Sequence, residues 1–333
     1  MTMTRKATPL LYLSAEHVRR ALPMADAIAA MRDAFAQLAN AQVTLPTREC
    51  LPTPDEHGVL LVMPCHSVAS TLFSLKAITV FPDNPRHGLP TIQALVILTD
   101  GATGEHLAVM DGASVTALRT GAASGLATDL LARPDAAVAA VFGAGVQART
   151  QLEAVCCVRT IRAAYVYDAD SAAADRFAVE MTVRLGRPVR RAGSPAEALK
   201  DADVVCTATT SSVPVFADSE LKRGVHVNAI GSFRPHVCEI PPETVCRARV
   251  VVDHHASALE EAGDLLGPLR DGLIRPSHFG TELGDVLLGR APSRSHVDEI
   301  TLFKSVGVAV QDLCAAAKTL ENARRMELGV PLS

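Results

Sequence analysis

Residues 136–148 read A-A-V-A-A-V-F-G-A-G-V-Q-A, and this stretch decides the fold of the chain. The apolar run that opens it is too short for a free-standing helix and suits a strand buried on both faces of a parallel sheet. Gly143, Gly145 and Ala148 follow in a G-x-G-x-x-A pattern. The first glycine permits a tight strand-to-helix turn, the second lets the backbone approach a pyrophosphate, and the alanine allows close helix–strand packing. The stretch therefore predicts a dinucleotide-binding turn.

The residues after this turn support the same prediction. Gln147 to Val158 is compatible with a helix, whose first N–H groups would face the phosphates. Ala163 to Tyr167 is a second apolar strand, and Asp168 follows it, twenty residues past Ala148. A carboxylate here can accept hydrogen bonds from both ribose hydroxyls and repels a 2′-phosphate, which favours NAD(H). NADP(H) stays an alternative, because Arg176 is close enough in sequence to fold toward a phosphate.

Length and composition bound the class of protein. The chain has 333 residues, 48% of them hydrophobic, which suffices for two domains in a soluble α/β protein. No apolar run is long enough to cross a bilayer, and a net charge of -4 argues against a nucleic-acid surface. The N-terminus lacks the apolar region of a signal peptide, and the eight cysteines show no C-x-x-C spacing. We therefore expect a cytoplasmic protein without disulfides or a metal ion.

Other local patterns predict the elements around the turn. Residues 14–40 carry apolar side chains at helical spacing, and Ser14 can cap the helix. Residues 43–99 contain short β-like runs separated by Pro, Gly, Asp and Asn, which predicts an antiparallel sheet. Residues 298–329 are expected to begin with a short turn and to continue as one long amphipathic helix that returns to the first domain.

Basic side chains in apolar surroundings are candidates for anion binding. Lys76 lies in F-S-L-K-A-I-T-V-F, where it fits the solvent-facing member of an alternating strand as well as a functional residue. Arg119 lies in an otherwise small and apolar helix that leads into the dinucleotide strand. A guanidinium in such a place needs an anion, which a substrate carboxylate or a cofactor phosphate would supply.

Two further strands end in polar loops, in A-D-V-V-C-T-A-T-T and in H-V-N-A-I-G-S. Ligands of doubly wound sheets lie outside the carboxyl ends of the strands. Four residues are therefore predicted beside the nicotinamide: Thr207, Thr209, Gly231 and Ser232. His254 and His255 end another strand and would point to opposite faces, so we expect no shared metal. The acids of E-E-A-G-D, which are Glu260, Glu261 and Asp264, are expected to be cap and surface residues, with the lining of the cleft as the alternative.

A series of short motifs from about residue 46 to the C-terminus resembles the ornithine cyclodeaminase/mu-crystallin family. The matching pieces are P-T-R at 46–48, M-P at 63–64, the strand around Lys76, G-L-P-T at 88–91, A-L-R-T-G-A-A at 117–123, G-A-G-V-Q-A at 143–148, N-A-I-G-S at 228–232, E-A-G-D-L at 261–265 and L-F-K-S-V-G at 302–307. Their number and common order argue against a chance match.

The resemblance implies roles for individual residues. Arg48, Lys76 and Arg119 are implied to hold the substrate carboxylate and the reacting centre, with Lys76 as the catalytic residue. Dinucleotide contacts are implied, together with Arg119 and the glycine turn, for Thr91, Val146, Gln147, Asp168, Thr207, Ser305 and Val306. The family is dimeric through its sheet domain. This implies a substrate-binding and dimerisation domain of residues 1–129 with 307–333, and an NAD-binding Rossmann domain of residues 130–306.

At two positions this chain differs from some members of the family. In the ornithine-cyclising members and the related alanine dehydrogenases, an aspartate that handles the amine stands two residues beyond Gly231, where this chain has Phe233. The cyclodeaminases also carry a glutamate two residues before M-P, where this chain has Leu61. Oxidative deamination needs a base at the ammonium group. A pocket without both acids favours a substrate that already has a C=N bond, and the mu-crystallin-like ketimine reductases resemble this chain more closely.

Three hypotheses for function follow. The preferred one is an NAD(P)H-dependent reductase of Δ1-pyrroline-2-carboxylate or Δ1-piperideine-2-carboxylate, in which Arg48 and Arg119 hold the carboxylate and Lys76 bonds it or relays a proton. Glu239 or a water would help the site to tolerate an iminium cation. The second is a lyase, either an ornithine cyclodeaminase or a hydroxyproline dehydratase. The third is a small-ligand binding protein of the mu-crystallin type.

Overall fold

The two patterns of the sequence, alternating runs and a glycine turn, belong to two separate units of the chain. The structure, a computed structural model, describes residues 9–55 and 57–332. The first unit consists of Met1–Arg119 with Ala309–Ser333, and the second consists of Thr120–Val308. No helix in the described ranges is both long and apolar enough to cross a membrane.

Strands and helices account for most of the described residues. The strands are β1 (Leu10–Leu13), β2 (Val43–Thr44), β3 (Glu49–Pro52), β4 (Val59–Ser67), β5 (Leu72–Val80), β6 (Ile92–Asp100), β7 (His106–Asp111), β8 (Val138–Phe142), β9 (Ala163–Tyr167), β10 (Val189–Arg191), β11 (Val204–Thr207), β12 (His226–Ala229), β13 (Arg249–Val252), β14 (Thr281–Glu282), β15 (Thr301–Lys304) and β16 (Val330–Leu332). The helices are α1 (Ala15–Ala21), α2 (Met24–Ala39), α3 (Gly112–Leu131), α4 (Val146–Val158), α5 (Ser171–Leu185), α6 (Pro195–Leu199), α7 (Pro242–Arg247), α8 (His255–Glu261), α9 (Gly263–Arg270), α10 (Leu283–Leu287) and α11 (Ala309–Arg325).

The first unit is built on a mixed sheet with the strand order β16-β1-β7-β6-β5-β4-β2, and β3 also pairs with β4. Strands β4 to β7 pair antiparallel, as the β-like runs predict. Strand β1 pairs in parallel with β7 and antiparallel with the edge strand β16. Helix α11 packs against β4, β5, β6 and α2, so one face of the sheet is covered.

The predicted helical segment after Ser14 forms two helices, α1 and α2. The Ser14 hydroxyl accepts a hydrogen bond from His17 N at 3.3 Å and caps α1. Pro23 then separates α1 from α2. A proline lacks the N–H that a continuous helix would need at this point and fits well just before a helix begins.

The second unit is built on a parallel sheet with the order β10-β9-β8-β11-β12-β15-β13-β14. Alternate residues of β8 enter two different cores, Ala140 and Phe142 in one and Ala139 and Val141 in the other. Both faces of the sheet are therefore buried, and the predicted α/β class with a Rossmann-type doubly wound sheet is confirmed. The strand order reverses direction between β8 and β11, which is where such sheets bind ligands.

The final segment begins with a turn at Asp298, as expected, but a strand that was not predicted lies between this turn and the long helix. Thr301–Lys304 forms strand β15, which lies between β12 and β13 with all four residues buried. The run T-L-F-K has only four residues, too few for a recognisable alternation of apolar and polar side chains. Its extended conformation comes from parallel hydrogen bonding to two neighbouring strands, which local sequence cannot reveal.

Candidate active site and cofactor site

Lys76 lies on the covered face of the first unit's sheet. Its cross-strand neighbours are Met63 on β4 and Val96 on β6, both buried. Lys76 itself is 1% exposed, whereas the adjacent Leu75 is 37% exposed. Strand β5 therefore alternates as expected, but with the lysine pointing inward. The structure thereby excludes the solvent-facing interpretation of Lys76.

Asp312, near the start of α11, joins Lys76 to Arg119. One carboxylate oxygen, Oδ2, lies 2.7 Å from Lys76 Nζ, and the other, Oδ1, accepts a hydrogen bond from Arg119 Nε at 3.2 Å. Arg119 Nη1 also donates to Gln311 Oε1 at 2.8 Å. All four side chains are buried. Two cations, one anion and one amide thus share a water-poor site within the first unit.

The charges of this group affect one another. Burial lowers the pKa of Lys76 to about 8, the charges of Arg119 and Arg48 act in the same direction, and Asp312 opposes the shift. Burial also disfavours the ionised form of Asp312, but Lys76 and Arg119 hold the pKa of Asp312 below its ordinary value. Buried charges are stable only when they are paired. Because the two cations outnumber the one anion, the site favours a second anion such as a carboxylate.

Arg48 and Thr91 complete the predicted residues of the first unit. Arg48 immediately precedes β3 and is half-buried, and its charge acts on the pKa of Lys76. Thr91 precedes β6, and its backbone oxygen accepts a hydrogen bond from Phe81 N at 2.8 Å. The structure therefore groups Arg48, Lys76 and Arg119, and within the described ranges no hydrogen bond connects Thr91 to Lys76.

The glycine turn of the second unit has the conformation that its sequence predicts. Gly143 has a φ of 97°, and a Cβ added to it would lie 2.5 Å from Ala208 O. Gly145 is the N-cap of α4, and a Cβ added there would meet no atom within 4 Å. Gly143 is therefore required by the fold, whereas Gly145 leaves open space at a helix N-terminus, where backbone N–H groups favour a phosphate.

Asp168 supports the turn as well as ending β9. Its Oδ2 accepts a hydrogen bond from Ala144 N at 2.7 Å, and its Oδ1 accepts one from Asp170 N at 2.8 Å. A carboxylate has about four acceptor sites, so capacity remains for ribose hydroxyls. Arg176 Nη2 lies 3.9 Å from Asp170 Oδ2, and the Arg176 side chain is 69% exposed.

The remaining predicted residues of α4 lie at its first turn. Val146 is 68% exposed. Gln147 is half-buried, and its Oε1 is a buried atom with no hydrogen-bond partner in the part of the chain that the structure describes. An unpaired buried acceptor beside open space indicates a ligand that donates a hydrogen bond. The turn, α4 and Asp168 together fit a dinucleotide.

Glu239 joins the carboxyl ends of β11 and β12. Its Oε1 accepts hydrogen bonds from N and Oγ1 of Thr209, both at 2.7 Å. Its Oε2 accepts from Thr207 Oγ1 at 2.9 Å, Gly231 N at 2.7 Å and Ser232 N at 3.2 Å. The four residues predicted beside the nicotinamide are thus brought together by one buried carboxylate. Burial, followed by the charge of Asp264, raises the pKa of Glu239, while Lys304 opposes the shift.

The expectation that Asp264 is a cap or surface residue is wrong. Asp264 is 1% exposed, and its Oδ1 accepts hydrogen bonds from Glu239 N at 2.6 Å and Ile240 N at 3.0 Å. Its Oδ2 lies 2.7 Å from Lys304 Nζ. Lys304, the last residue of β15, is therefore the buried counter-ion of Asp264.

Ser305 and Val306 follow β15 and share one partner. Asp253 Oδ2 accepts hydrogen bonds from Ser305 Oγ at 2.7 Å, Val306 N at 2.9 Å and Gly307 N at 2.7 Å. This carboxylate, which is fully buried, holds the S-V-G turn at the end of the sheet. The adjacent histidines have separate partners, since His254 Nδ1 contacts Ser257 Oγ and His255 Nδ1 contacts Phe279 O.

The positions that depart from part of the family have apolar surroundings. Leu61 is 7% exposed and belongs to a cluster with Ile78 and Val80. Phe233 is half-buried and packs against a core of the second unit, with the guanidinium of Arg234 5.7 Å from the centre of its ring. Neither position offers an acid to an amine.

Five buried polar residues of these sites were not predicted from the sequence: Asp253, Asp264, Lys304, Gln311 and Asp312. For two of them a signal existed. Gln311 and Asp312 interrupt the apolar stretch V-A-V-Q-D-L-C-A-A-A, just as Arg119 interrupts its own helix. The rule that singled out Arg119, that a charged side chain on an apolar helix needs a partner, applies equally to Asp312.

Comparison with known proteins gives consistent relatives along nearly the whole chain. The sequence profile described as the ornithine cyclodeaminase/mu-crystallin family matches residues 10–327. A Δ1-pyrroline-2-carboxylate reductase of Bacillus cereus is 38% identical over 322 residues, which cover 96% of this chain and 98% of that protein. The ketimine reductase mu-crystallin of Mus musculus is 34% identical over 309 residues, covering 92% and 95% of the two chains.

Solved structures agree with the sequence relatives. A Δ1-pyrroline-2-carboxylate reductase from Thermococcus litoralis, solved in complex with NADH and L-proline, superposes with a TM-score of 0.94 at 37% identity, covering 97% of this chain and 100% of that one. An archaeal alanine dehydrogenase dimer with bound NAD gives a TM-score of 0.91 at 34% identity and covers 98% and 99% of the two chains.

Proposed function

The chain belongs to the ornithine cyclodeaminase/mu-crystallin family, and we propose that it is an NADH-dependent reductase of a cyclic imino acid. Its substrates are Δ1-pyrroline-2-carboxylate and Δ1-piperideine-2-carboxylate, and its products are L-proline and L-pipecolate. The reductases among its relatives, and a structural neighbour that holds NADH and L-proline, support this reaction.

The buried group around Lys76 is the observation that carries the proposal. A cyclic imino acid bears one carboxylate, and the group has one more cation than anions. We assign Arg48, Lys76 and Arg119 to the carboxylate, since charge-assisted hydrogen bonds from such side chains are the strong ones. The two positions at which the ornithine-cyclising members carry acids are Leu61 and Phe233 in this chain, which favours a substrate with an existing C=N bond over a free amine.

Reduction adds a hydride to the imine carbon and a proton to the nitrogen. When bound, the reduced nicotinamide supplies the hydride. Lys76 is the proposed proton donor, because burial lowers its pKa to about 8, close to the range in which a general acid works best. Arg48 and Arg119 orient the ring by its carboxylate, and a fixed orientation lowers the entropic part of the barrier.

We assign the cofactor to the second unit, in line with its predicted role as the NAD-binding domain of residues 130–306. Gly143, Gly145 and Val146 would hold the pyrophosphate, and Asp168 would hold the ribose. For the other contacts within this unit we retain the predicted residues: Gln147, Thr207, Thr209, Gly231, Ser305 and Val306. The cofactor contacts that the resemblance implies for Thr91 and Arg119 stay predictions. The carboxylate of Asp168 favours NADH over NADPH.

Two further proposals concern the state of the protein. We propose a homodimer, supported by the dimeric NAD-bound alanine dehydrogenase among its structural neighbours and by exposed apolar side chains on the outer face of the first unit's sheet. We also propose a cytoplasmic location, which agrees with the eight free cysteines.

A steady-state assay tests the function. Purified protein is supplied with each of the two cyclic imines and with NADH or NADPH, and the loss of the reduced cofactor is followed by absorbance. We expect one equivalent of NADH to be consumed per proline or pipecolate formed, faster than with NADPH. Ornithine, and pyruvate with ammonia, serve as controls. Rapid conversion of ornithine to proline without net NADH consumption would establish a lyase, and tight binding without turnover would establish a binding protein.

A further inference from the structure

Asp312 is a buried charge for which the proposed reaction has no role so far. It stands on α11, is 1% exposed and contacts two cations that come from β5 and α3. A carboxylate in this place would compete with the substrate carboxylate for the same cations. Its presence therefore requires an explanation beyond charge neutralisation.

We propose that Asp312 is the positioning residue of the carboxylate site and that its neighbour Gln311 donates a hydrogen bond to the substrate carboxylate, an inference that rests on the proposed function. Each oxygen of Asp312 holds one cation, so the Lys76 ammonium and the Arg119 guanidinium have a fixed separation before substrate arrives. Pre-arranged donors bind and orient a ligand without the cost of ordering them first.

The hydrogen-bond inventory leaves donors for one further anion. A lysine ammonium has three N–H donors and an arginine has five. Within the described ranges, Asp312 takes one from Lys76, while Asp312 and Gln311 take two from Arg119. Gln311 Nε2 is buried and has no partner in the same part of the chain. Arg119 donates to the amide oxygen and thereby fixes which end of the Gln311 amide is the nitrogen.

Asp312 also controls how many charges the site carries before substrate binds. With Asp312 ionised, Lys76, Arg119 and Asp312 together carry one net positive charge, and the nearby charge of Arg48 adds to it. Without it, two neighbouring buried cations repel each other, and the lysine can relieve this by releasing its proton. Asp312 therefore keeps Lys76 protonated in the resting protein, so that the same ammonium can both bind the carboxylate and supply a proton.

The pH dependence of binding follows from the groups that face Lys76. These are Asp312 on α11, Arg119 on α3, Arg48 before β3 and the Cys65 thiol on β4, which stays neutral because burial raises its pKa to about 12. The pKa of Lys76 is about 8, and Asp312 acts to raise it. The ammonium is present below this value and lost above it. Removal of the Asp312 charge must move the loss to lower pH.

The test is the binding of pyrrole-2-carboxylate, a planar carboxylate without a reducible C=N bond, followed by calorimetry from pH 5 to 10 in the presence of NADH. In the unaltered protein we expect affinity to fall roughly tenfold per pH unit above the Lys76 pKa, since one proton is then taken up per ligand bound. We call the pH at which the association constant has fallen to half its low-pH value the midpoint. In Asp312→Asn, which keeps the shape of the side chain, we expect this midpoint to move down by about one pH unit or more. The midpoint is the readout because a merely structural role would not move it.

Asp203→Asn is the matched control. Asp203 is 6% exposed and ion-paired with Arg133 and Lys222 in the second unit. Its replacement should lower thermal stability and leave the midpoint where it is. An unchanged midpoint in a folded Asp312→Asn protein would overturn the positioning role.

Gln311→Glu is the second variant, which keeps the proposal testable if Asp312→Asn fails to fold. It retains an acceptor for Arg119 but replaces the unpaired amide donor by a carboxylate oxygen. We expect binding of pyrrole-2-carboxylate at pH 7 to weaken at least tenfold, whereas affinity equal to that of the unaltered protein would remove Gln311 from the site. Failure of the unaltered protein to bind the probe at any pH would count against the proposed function itself, and is thereby distinguishable from failure of this inference.

Discussion

At the scale of single residues, neighbouring positions in one motif have different physical roles. The two glycines of the dinucleotide turn both fit the same sequence pattern, but only Gly143 has a backbone conformation that favours glycine and a carbonyl oxygen directly against it. Gly145 has ordinary backbone geometry and open space on its side-chain position. The fold requires the first and the proposed ligand requires the second.

Alanine substitutions should separate these two requirements. Gly145→Ala should leave the melting temperature nearly unchanged and weaken NADH binding about tenfold or more, since one misplaced methyl typically costs ~1–3 kcal/mol. Gly143→Ala should instead destabilise the protein by at least ~1–3 kcal/mol, because of strain at positive φ and the contact with Ala208 O. Calorimetric melting and fluorescence titration with NADH measure both. Equal effects of the two substitutions on stability would contradict the assignment.

The charge of Asp168 should set the cofactor preference. Asp168→Asn keeps an oxygen for the hydrogen bond from Ala144 N but removes the charge that repels a 2′-phosphate. We expect the ratio of kcat/KM for NADH to that for NADPH to fall by about tenfold or more, as a change of ~1.4 kcal/mol suffices for this. Asp170→Asn is the control, because Asp170 caps α5 two residues away. A similar change of the ratio in both variants would mean that Asp168 does not contact the ribose.

At the scale of elements, buried carboxylates hold the ends of strands. Glu239 joins the ends of β11 and β12, and Asp253 joins the end of β13 to the turn after β15. The last residues of parallel strands have N–H groups that the sheet itself does not satisfy, and carboxylates can accept several of them. These carboxylates therefore connect the strands along the edge of the sheet that is proposed to bind nicotinamide.

Glu239→Gln should loosen this edge. The amide offers one acceptor oxygen where the carboxylate offers two, and its NH₂ group would face backbone N–H donors. We expect the free energy of unfolding to fall by about 2 kcal/mol, as for buried hydrogen-bonding groups left unsatisfied. NADH affinity should fall as well. Urea unfolding and NADH titration check these outcomes, with Glu243→Gln on the exposed first turn of α7 as control. A Glu239→Gln variant as stable as the unaltered protein would show that Glu239 does not stabilise the ends of these strands.

At the scale of the whole molecule, one exposed face of the first unit's sheet is apolar. Phe73 is 44% exposed, Leu75 37% and Leu95 49%, and the paired strands β5 and β6 bring them to one side. Contiguous exposed apolar side chains on a sheet usually mark a contact surface. A symmetric dimer would cover the face with an identical copy of itself.

Charged substitutions on this face should separate the proposed dimer. The double variant Leu75→Asp with Leu95→Asp should give a mass of one chain, 35.1 kDa, in light scattering after size-exclusion chromatography, where the unaltered protein should give twice this mass. Four buried carboxylates facing one another across a two-fold axis are strongly unfavourable. Val183→Asp is the control, since Val183 is 81% exposed on α5 of the second unit. A monomeric unaltered protein would refute the assignment.

Local patterns predicted much of the fold and part of the site. Strand β8, helix α4 and strand β9 were predicted from the apolar run, the glycine spacing and the acid after the next strand. This was possible because each of these elements depends on residues close to it in sequence. The alternating runs predicted β4 to β7 in the same way. Strand β15 was missed, because its conformation depends on β12 and β13, which lie far away in sequence.

The sequence by itself determined the class of fold and the dinucleotide turn, and it singled out the basic residues Lys76 and Arg119. These features depend on composition and on the spacing of residues close in sequence. Only the tertiary structure decided which way Lys76 points and what neutralises it. Asp312 is 236 residues from Lys76 and 193 from Arg119, and no local rule connects such positions. A buried charge must be paired wherever the chain can supply a partner, and the partner's identity depends on how the whole first unit packs.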